Sequence, residues 1–292
     1  MSLTLQTATV TSLEEVVEAV ASWQQEGASV QLHPGDLGWN WSLGAVELAG
    51  ATRVWRRDGQ IVAVGLVEDA GLVRMGLAPA VDGDESVAAR LLADLSDPAC
   101  GVLTAADVSV EARSGTAFRA LLAESGWQAG DPWTPLRRDL ADPVEDGGLR
   151  IAVVDEHNAP ARVAVQRAAF AGSAFTLERW QAMAAASPYR RGRCLIGYDV
   201  AGAAVAAVTV WSAGEGRPGL LEPLGVHRDH RGHRHGTAIS LAAAAALREM
   251  GASSATVCTP SSNVGAVATY VSAGYRTLPD VTDFRRLRTR RR

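Results

Sequence analysis

The chain has 292 residues, 47% hydrophobic and 21% charged, a composition that fits an ordinary globular protein with room for one large domain or two small ones. A formal net charge of −4 argues against general nucleic-acid binding, and the 28 basic residues are all arginine. No run approaches the ~20 apolar residues that span a bilayer, and no basic segment followed by an apolar stretch opens the chain, so the expected setting is cytoplasmic, away from membranes.

In chain order, Arg53 to Gly65 reads as strand, tight turn and strand, because Asp58-Gly59 stands between alternating apolar positions. Leu77-Ala78-Pro79 then leads into an acidic loop, Val81-Asp82-Gly83-Asp84-Glu85. A helical stretch around Phe118 to Leu122 ends before Gly126-Trp127. The segment Asp142 to Gly148 is polar and contains Pro143, Gly147 and Gly148, which suits a boundary between modules 1–143 and 144–292. Beyond it, Asn158 to Phe170 has apolar residues at helical spacing with Pro160 in the first turn. Thr176 opens a second helix on which Leu177, Trp180 and Met183 share a face.

Cys194 to Tyr198, a turn at Ala201-Gly202, and Ala203 to Trp211 repeat the first hairpin about 143 residues on, and the Gly-aromatic pair recurs as Gly274-Tyr275, 148 residues on. Two landmarks in the same order indicate two copies of one α/β module. The three cysteines, Cys100, Cys194 and Cys258, are widely spaced, odd in number and without paired metal-ligand spacing, so each reads as a small buried hydrophobe.

The most informative segment is Arg231-Gly232-His233-Arg234-His235-Gly236, between the apolar run Leu220 to Val226 and an alanine-rich helix ending at Gly251. A strand that delivers the chain to a basic loop opening a helix makes an anion-binding turn: arginine supplies forked donors, glycine admits close backbone approach, and the helix contributes free N–H groups. Gly251 is placed to end the helix in a left-handed cap. Downstream come a strand, Ser254 to Thr259, then Asn263, Tyr270 and Gly274-Tyr275.

From Leu220 to Tyr275 this order resembles the GNAT superfamily of acyl-CoA-dependent N-acyltransferases, whose loop reads Arg/Gln-x-x-Gly-x-Gly/Ala. Arg231 and Gly236 match its first and last positions, while Arg234 stands where the family has the middle glycine. The resemblance implies two tandem GNAT-like modules, each a mixed, mostly antiparallel sheet flanked by helices. It also implies that the second module acetylates an amine of a small molecule from acetyl-CoA, as a monomer or homodimer. The cofactor set would be Leu224, Gly225, Val226, Arg231, Gly232, His233, Arg234, His235, Gly236, Thr237, Asn263 and Tyr270. Tyr270 matches the tyrosine that protonates the departing thiolate, and Asn263 either bonds the CoA arm or caps the helix that follows it. Phe175 and Trp180 would wall the acceptor pocket or belong to the core.

Glu222 is the candidate base, or a carboxylate paired with an arginine; by strand alternation it shares a face with Leu220, Leu224 and Val226. The strand there should splay, exposing Leu224 to Val226 to the pantetheine amides and an N–H near Val226 to the thioester oxygen. In the first module Leu122 and Gly115 fall at the places of Tyr270 and Asn263 and the loop is acidic, so that copy reads as degenerate. The rival reading is a non-catalytic acyl-CoA sensor or scaffold, motivated by Arg234. Four histidines, His227, His230, His233 and His235, lack the spacing of a zinc site, and no metal is expected. As partly protonated cations they would aid phosphate binding, with affinity falling as pH rises past about 6.5. The basic end, Arg285 to Arg292, reads as a solvated terminus or as a surface for an acidic partner.

Overall fold

The computed structural model describes residues 3–287; of the basic end, positions 288–292 lie outside the described residues. In chain order the elements are β1 (Leu3–Thr7), α1 (Leu13–Ser22), α2 (Pro34–Asn40), α3 (Ala45–Ala51), β2 (Thr52–Arg57), β3 (Gln60–Asp69), β4 (Leu72–Leu77), α4 (Glu85–Ser96), β5 (Val108–Glu111), α5 (Thr116–Glu124) and β6 (Gln128–Asp139). They continue with β7 (Arg150–Val153), α6 (Ala159–Ala169), α7 (Leu177–Ala184), β8 (Gly192–Tyr198), β9 (Ala204–Trp211), β10 (Pro218–Val226), α8 (His235–Glu249), β11 (Ser254–Pro260), α9 (Val264–Ser272), β12 (Arg276–Thr277) and β13 (Val281–Arg286).

These pack as two compact units that exchange segments. Among the described residues, one holds 3–33, 45–133 and 280–287; the other holds Pro34–Gly44 and Thr134–Pro279. The packing units therefore differ from a cut at 143/144 in three places. β6 gives its first residues to the first unit and its last, from Thr134, to the second, and β13 closes the first unit between β5 and β6. α2, early in the chain, packs in the second unit.

In the first unit the strand order is β1-β2-β3-β4-β5-β13-β6, antiparallel apart from the parallel pair β4/β5. The β2/β3 hairpin turns through Asp58 and Gly59, both at positive φ, as its Asp-Gly pair predicts. Trp55, Leu91, Phe118, Trp127 and Phe284 centre its core. Arg285 and Arg286, the start of the basic end, are part of this packing: Arg285 pairs with Asp131 at 2.8 Å and Arg286 lies over the Trp127 ring.

In the second unit the order is β6-β11-β10-β9-β8-β7; β10 and β11 are parallel, and β10/β9, β9/β8 and β8/β7 are antiparallel. Helix α8 covers one face with small residues, Ala238, Ala243, Ala244 and Ala246, and its end at Gly251 has φ 80°. Helices α6 and α7 cover the other, over Phe175, Trp180, Met183, Cys194, Trp211 and Leu220. The side chain of Thr176 caps α7 by accepting from the Arg179 amide. Cys194 is buried as expected, whereas Cys100 and Cys258 are only half-buried.

One local expectation is overturned. β10 carries a bulge in which Glu222 and Pro223 together stand opposite Thr209, because Leu221 pairs with Val210 and Leu224 with Val208. An extra residue reverses the alternation. Leu220 packs under α6 and α7 with Trp211, while Leu224 and Val226 join Leu221 on the α8 side, so Glu222 does not share one face with all three.

Candidate active site

β10 pairs with β11 only at Pro218 to Leu220, then leaves it while keeping its ladder to β9 through Val226. Parting of the two parallel strands opens a cleft of about 700 Å³ against the start of α8. Leu224, Gly225 and Val226 line it, together with Arg231, Gly232, Arg234, His235, Gly236, Thr237, Asn263 and Tyr270. His233 is exposed and does not line it.

The basic loop shapes one end. The first intrahelical bond of α8 runs from the Ala238 amide to the Arg234 carbonyl, so the amides of His235, Gly236 and Thr237 precede the helical ladder and carry the positive end of the helix dipole. Arg234 has φ 63°, the left-handed conformation that a glycine adopts freely and a side chain takes at a cost of about 1 kcal/mol. Its backbone is thus in a conformation open to glycine, with the side chain exposed at the cleft. A Cβ on Gly236 would lie 2.8 Å from Thr269 Cγ2, which explains glycine where α8 starts against α9.

Two residues of the cleft, Ala169 and Phe170 at the end of α6, were not legible in the sequence. Arg231 donates to the Ala169 carbonyl at 2.8 Å, and Arg228 Nε donates to the Ala168 carbonyl at 3.0 Å. The arginines of the turn therefore satisfy the orphan carbonyls at the negative end of α6. A Cβ on Gly225 would sit 2.6 Å from Ala169 Cβ and 2.8 Å from the Phe170 ring, so only glycine lets the strand and the helix end meet. No local signal announces contacts some sixty residues apart.

Tyr270 is 7% exposed, with its ring 5.7 Å from that of Tyr275. Burial pushes the Tyr270 hydroxyl above its usual pKa, and the nearby Glu222 carboxylate pushes it further. The phenol thus holds its proton throughout the physiological range. Glu222 is half-buried on the bulge, and its backbone carbonyl accepts from the Trp211 indole N–H at 2.8 Å. Asn263 caps α9, its side-chain oxygen accepting from the Ala266 amide at 3.2 Å, while also bordering the cleft. Phe175 and Trp180 lie in the core cluster beneath α7, not in this cleft. Phe175 is sandwiched there between the Arg162 guanidinium, 4.9 Å from the ring centre, and Trp39, stacked at 5.0 Å.

The histidines divide. His227 Nδ1 accepts from the Asp229 amide, and His230 faces Asp199 at 4.0 Å. His235 is held below its usual pKa, first by burial and then by the neighbouring His233, so it is less protonated at neutral pH than the sequence reading supposed. Among the described residues no group of three His, Cys, Asp or Glu side chains is placed to hold a metal ion.

The matching place in the first unit is a smaller cleft of about 410 Å³, lined by Gln31, Leu77, Asp82 and Gly115, and its own chain takes part of the polar groups there. β4 pairs with β5 only at Leu72 to Arg74. Beyond that, the Leu32 amide bonds to Met75, and the Gln31 side chain accepts from the Leu77 amide at 2.9 Å and the Ser114 hydroxyl at 2.6 Å. At the start of α4, the Asp84 carboxylate takes the amides of Ser86 and Val87 and pairs with Arg57. A carboxylate already sits where the second unit offers bare amides.

A sheet whose parallel pair splays toward a helix amino terminus is present twice, so the chain is a tandem of two α/β units. Residues 151–275 match the acetyltransferase (GNAT) family. A GNAT domain is thus matched over 151–275, and the chain as a whole shares the fold of a tandem GNAT protein. A tandem GNAT protein from the clavulanic acid biosynthesis pathway superposes with a TM-score of 0.62 at 16% identity, covering 98% of both chains. An acetyltransferase of the family from Colwellia psychrerythraea gives 0.60 at 16%, covering 98% of this chain and 99% of that one. A GCN5-related N-acetyltransferase from Sphaerobacter thermophilus gives 0.57 at 18%, covering 97% and 95%. No curated protein matches the chain.

Proposed function

We propose that the second module, 144–292, transfers an acetyl group from acetyl-CoA to an amine of a small molecule in the cytoplasm, acting as a monomer or homodimer, while the first module, 1–143, serves structure. The observation that carries this reading is the contrast between the two clefts: one has free helix-start amides and arginines at its mouth, while the other is smaller, has Gln31 bonded to its strand edge, and has a helix start already capped by the Asp84 carboxylate. In the open cleft, the amides of His235 to Thr237 with Arg231 and Arg234 take the pyrophosphate, and the freed edge of Leu224 to Val226 pairs with the pantetheine amides.

Glu222, directly or through water, removes a proton from the amine. The amine nitrogen attacks the thioester carbonyl, whose oxygen is polarised by a backbone N–H near Val226. The C–N bond forms, the C–S bond breaks, and the sulfur takes the Tyr270 proton to leave as CoA thiol. A raised phenol pKa makes Tyr270 a reluctant donor to a thiolate in water, but burial in the same pocket raises the thiolate's basicity too. Calorimetry of acetyl-CoA with the wild type and Arg231→Ala, followed by thiol release with a panel of primary amines, tests the reading. Binding weakened by the substitution together with turnover supports it. Binding without turnover returns the acyl-CoA sensor, and absence of binding defeats both.

A further inference from the structure

Trp211 is 1% exposed, and its surroundings leave its indole one orientation. Gly35 and Gly38, one turn apart on α2, lie against it. A Cβ on Gly35 would come 2.5 Å from Trp211 Cγ, and a Cβ on Gly38 would come 2.5 Å from Cζ3. Gly192 on β8 closes a third side, where a Cβ would lie 2.8 Å from Cε3, and the Tyr189 ring meets the indole edge-on at 6.0 Å. Held in this way, the indole N–H points at the bulge of β10 and donates to the Glu222 carbonyl at 2.8 Å. A bulge is where a strand re-aims a side chain, and the local bond fixes how far.

We propose that Trp211 is a positioning residue for Glu222, and that α2, which comes from the first half of the sequence, belongs to the acceptor side of the second unit because its two glycines set the indole. This rests on the reading of Glu222 as the base. Phenylalanine at 211 keeps the ring in place of the indole but lacks the N–H, and alanine at 38 displaces the indole while leaving its N–H intact. Both release the Glu222 carbonyl without touching the phosphate end of the cleft.

The experiment uses the full chain and measures acetyl-CoA affinity by calorimetry, thermal midpoint, and the pH profile of thiol release with water and with a panel of ethanolamine, spermidine, glucosamine and benzylamine. The variants are Trp211→Phe, Gly38→Ala and Glu222→Gln, with Gly50→Ala as control, since a Cβ there meets nothing within 4 Å. Trp211→Phe and Gly38→Ala are expected to lower the rate about tenfold and move the acid limb of the profile, with acetyl-CoA affinity unchanged. A wild-type acid limb in both, beside an impaired Glu222→Gln, overturns the positioning role, as does a loss that merely tracks affinity or thermal midpoint. Glu222→Gln with the wild-type rate and profile removes the base reading and the proposal with it. A wild type that binds acetyl-CoA but releases no thiol with any of these acceptors does the same.

Discussion

The guanidinium of Arg231 donates to the carbonyl of Ala169 at 2.8 Å, joining the basic turn before α8 to the last residue of α6. One side chain thus stands between the basic end of the cleft and the helix that walls it. Replacement by alanine removes a charge-assisted donor worth roughly 1.5–3 kcal/mol, so acetyl-CoA affinity should fall about 10- to 100-fold. Hydrogen exchange at 167–170 should quicken in the same variant. An unchanged dissociation constant would remove Arg231 from the cofactor site.

Tyr270→Phe leaves the ring and its packing beside Tyr275 and removes only the hydroxyl. The kcat for thiol release should drop on the order of 10²-fold, with acetyl-CoA affinity held, as expected for a lost general acid. Equal loss in affinity and rate would make the hydroxyl a binding group.

Gly225→Ala places a methyl group 2.6 Å from Ala169 Cβ. Relief requires α6 or the splayed strand to move, which should cost about 1–3 kcal/mol of stability and raise the KM for acetyl-CoA. Thermal melts and steady-state kinetics read both effects.

The wild-type chain should bind one acetyl-CoA, because in the first unit's counterpart cleft Gln31 takes the strand-edge amide of Leu77 and Asp84 takes the helix-start amides. Calorimetric stoichiometry near two would contradict this difference between the clefts.

Asp84 is held well below the usual carboxylate pKa by the Ser86 hydroxyl, the Val87 amide and Arg57. A depressed native pKa means that the unfolded chain binds the proton first, so this stabilisation is present above the unfolded value of 3.8 and is lost as pH falls below it. Asp84→Ala should cost about 1–2 kcal/mol at neutral pH as a lost helix cap and should flatten the acid limb of a melting-temperature profile between pH 2 and 6.

His235 titrates below its ordinary value, so any part of acetyl-CoA affinity that depends on its protonation should be lost before pH 6.5 as pH rises. A His235→Asn variant whose affinity shows the wild-type pH dependence would assign that dependence to other groups.

Local chemistry was readable along the chain. Asp58-Gly59, Thr176 and Gly251 mark a turn, a cap and a helix end through their own backbone preferences, and the loop from Arg231 to Gly236 declares its class because strand, glycine and helix start are consecutive. Alternation on β10 failed at Glu222-Pro223, since a bulge depends on how the neighbouring strand pairs. Phe175 and Trp180 were separable from the cleft only once α2 brought Trp39 onto them from 136 positions away. The sequence alone determined that two α/β modules follow one another and that only the second carries a basic, glycine-containing turn between strand and helix, because both follow from local pattern. Tertiary structure alone decided which segments the units exchange, that Gln31 takes the strand edge in the first cleft, and that Arg231 and Trp211 reach Ala169 and Glu222, because such contacts arise from close packing of distant segments and leave no local trace.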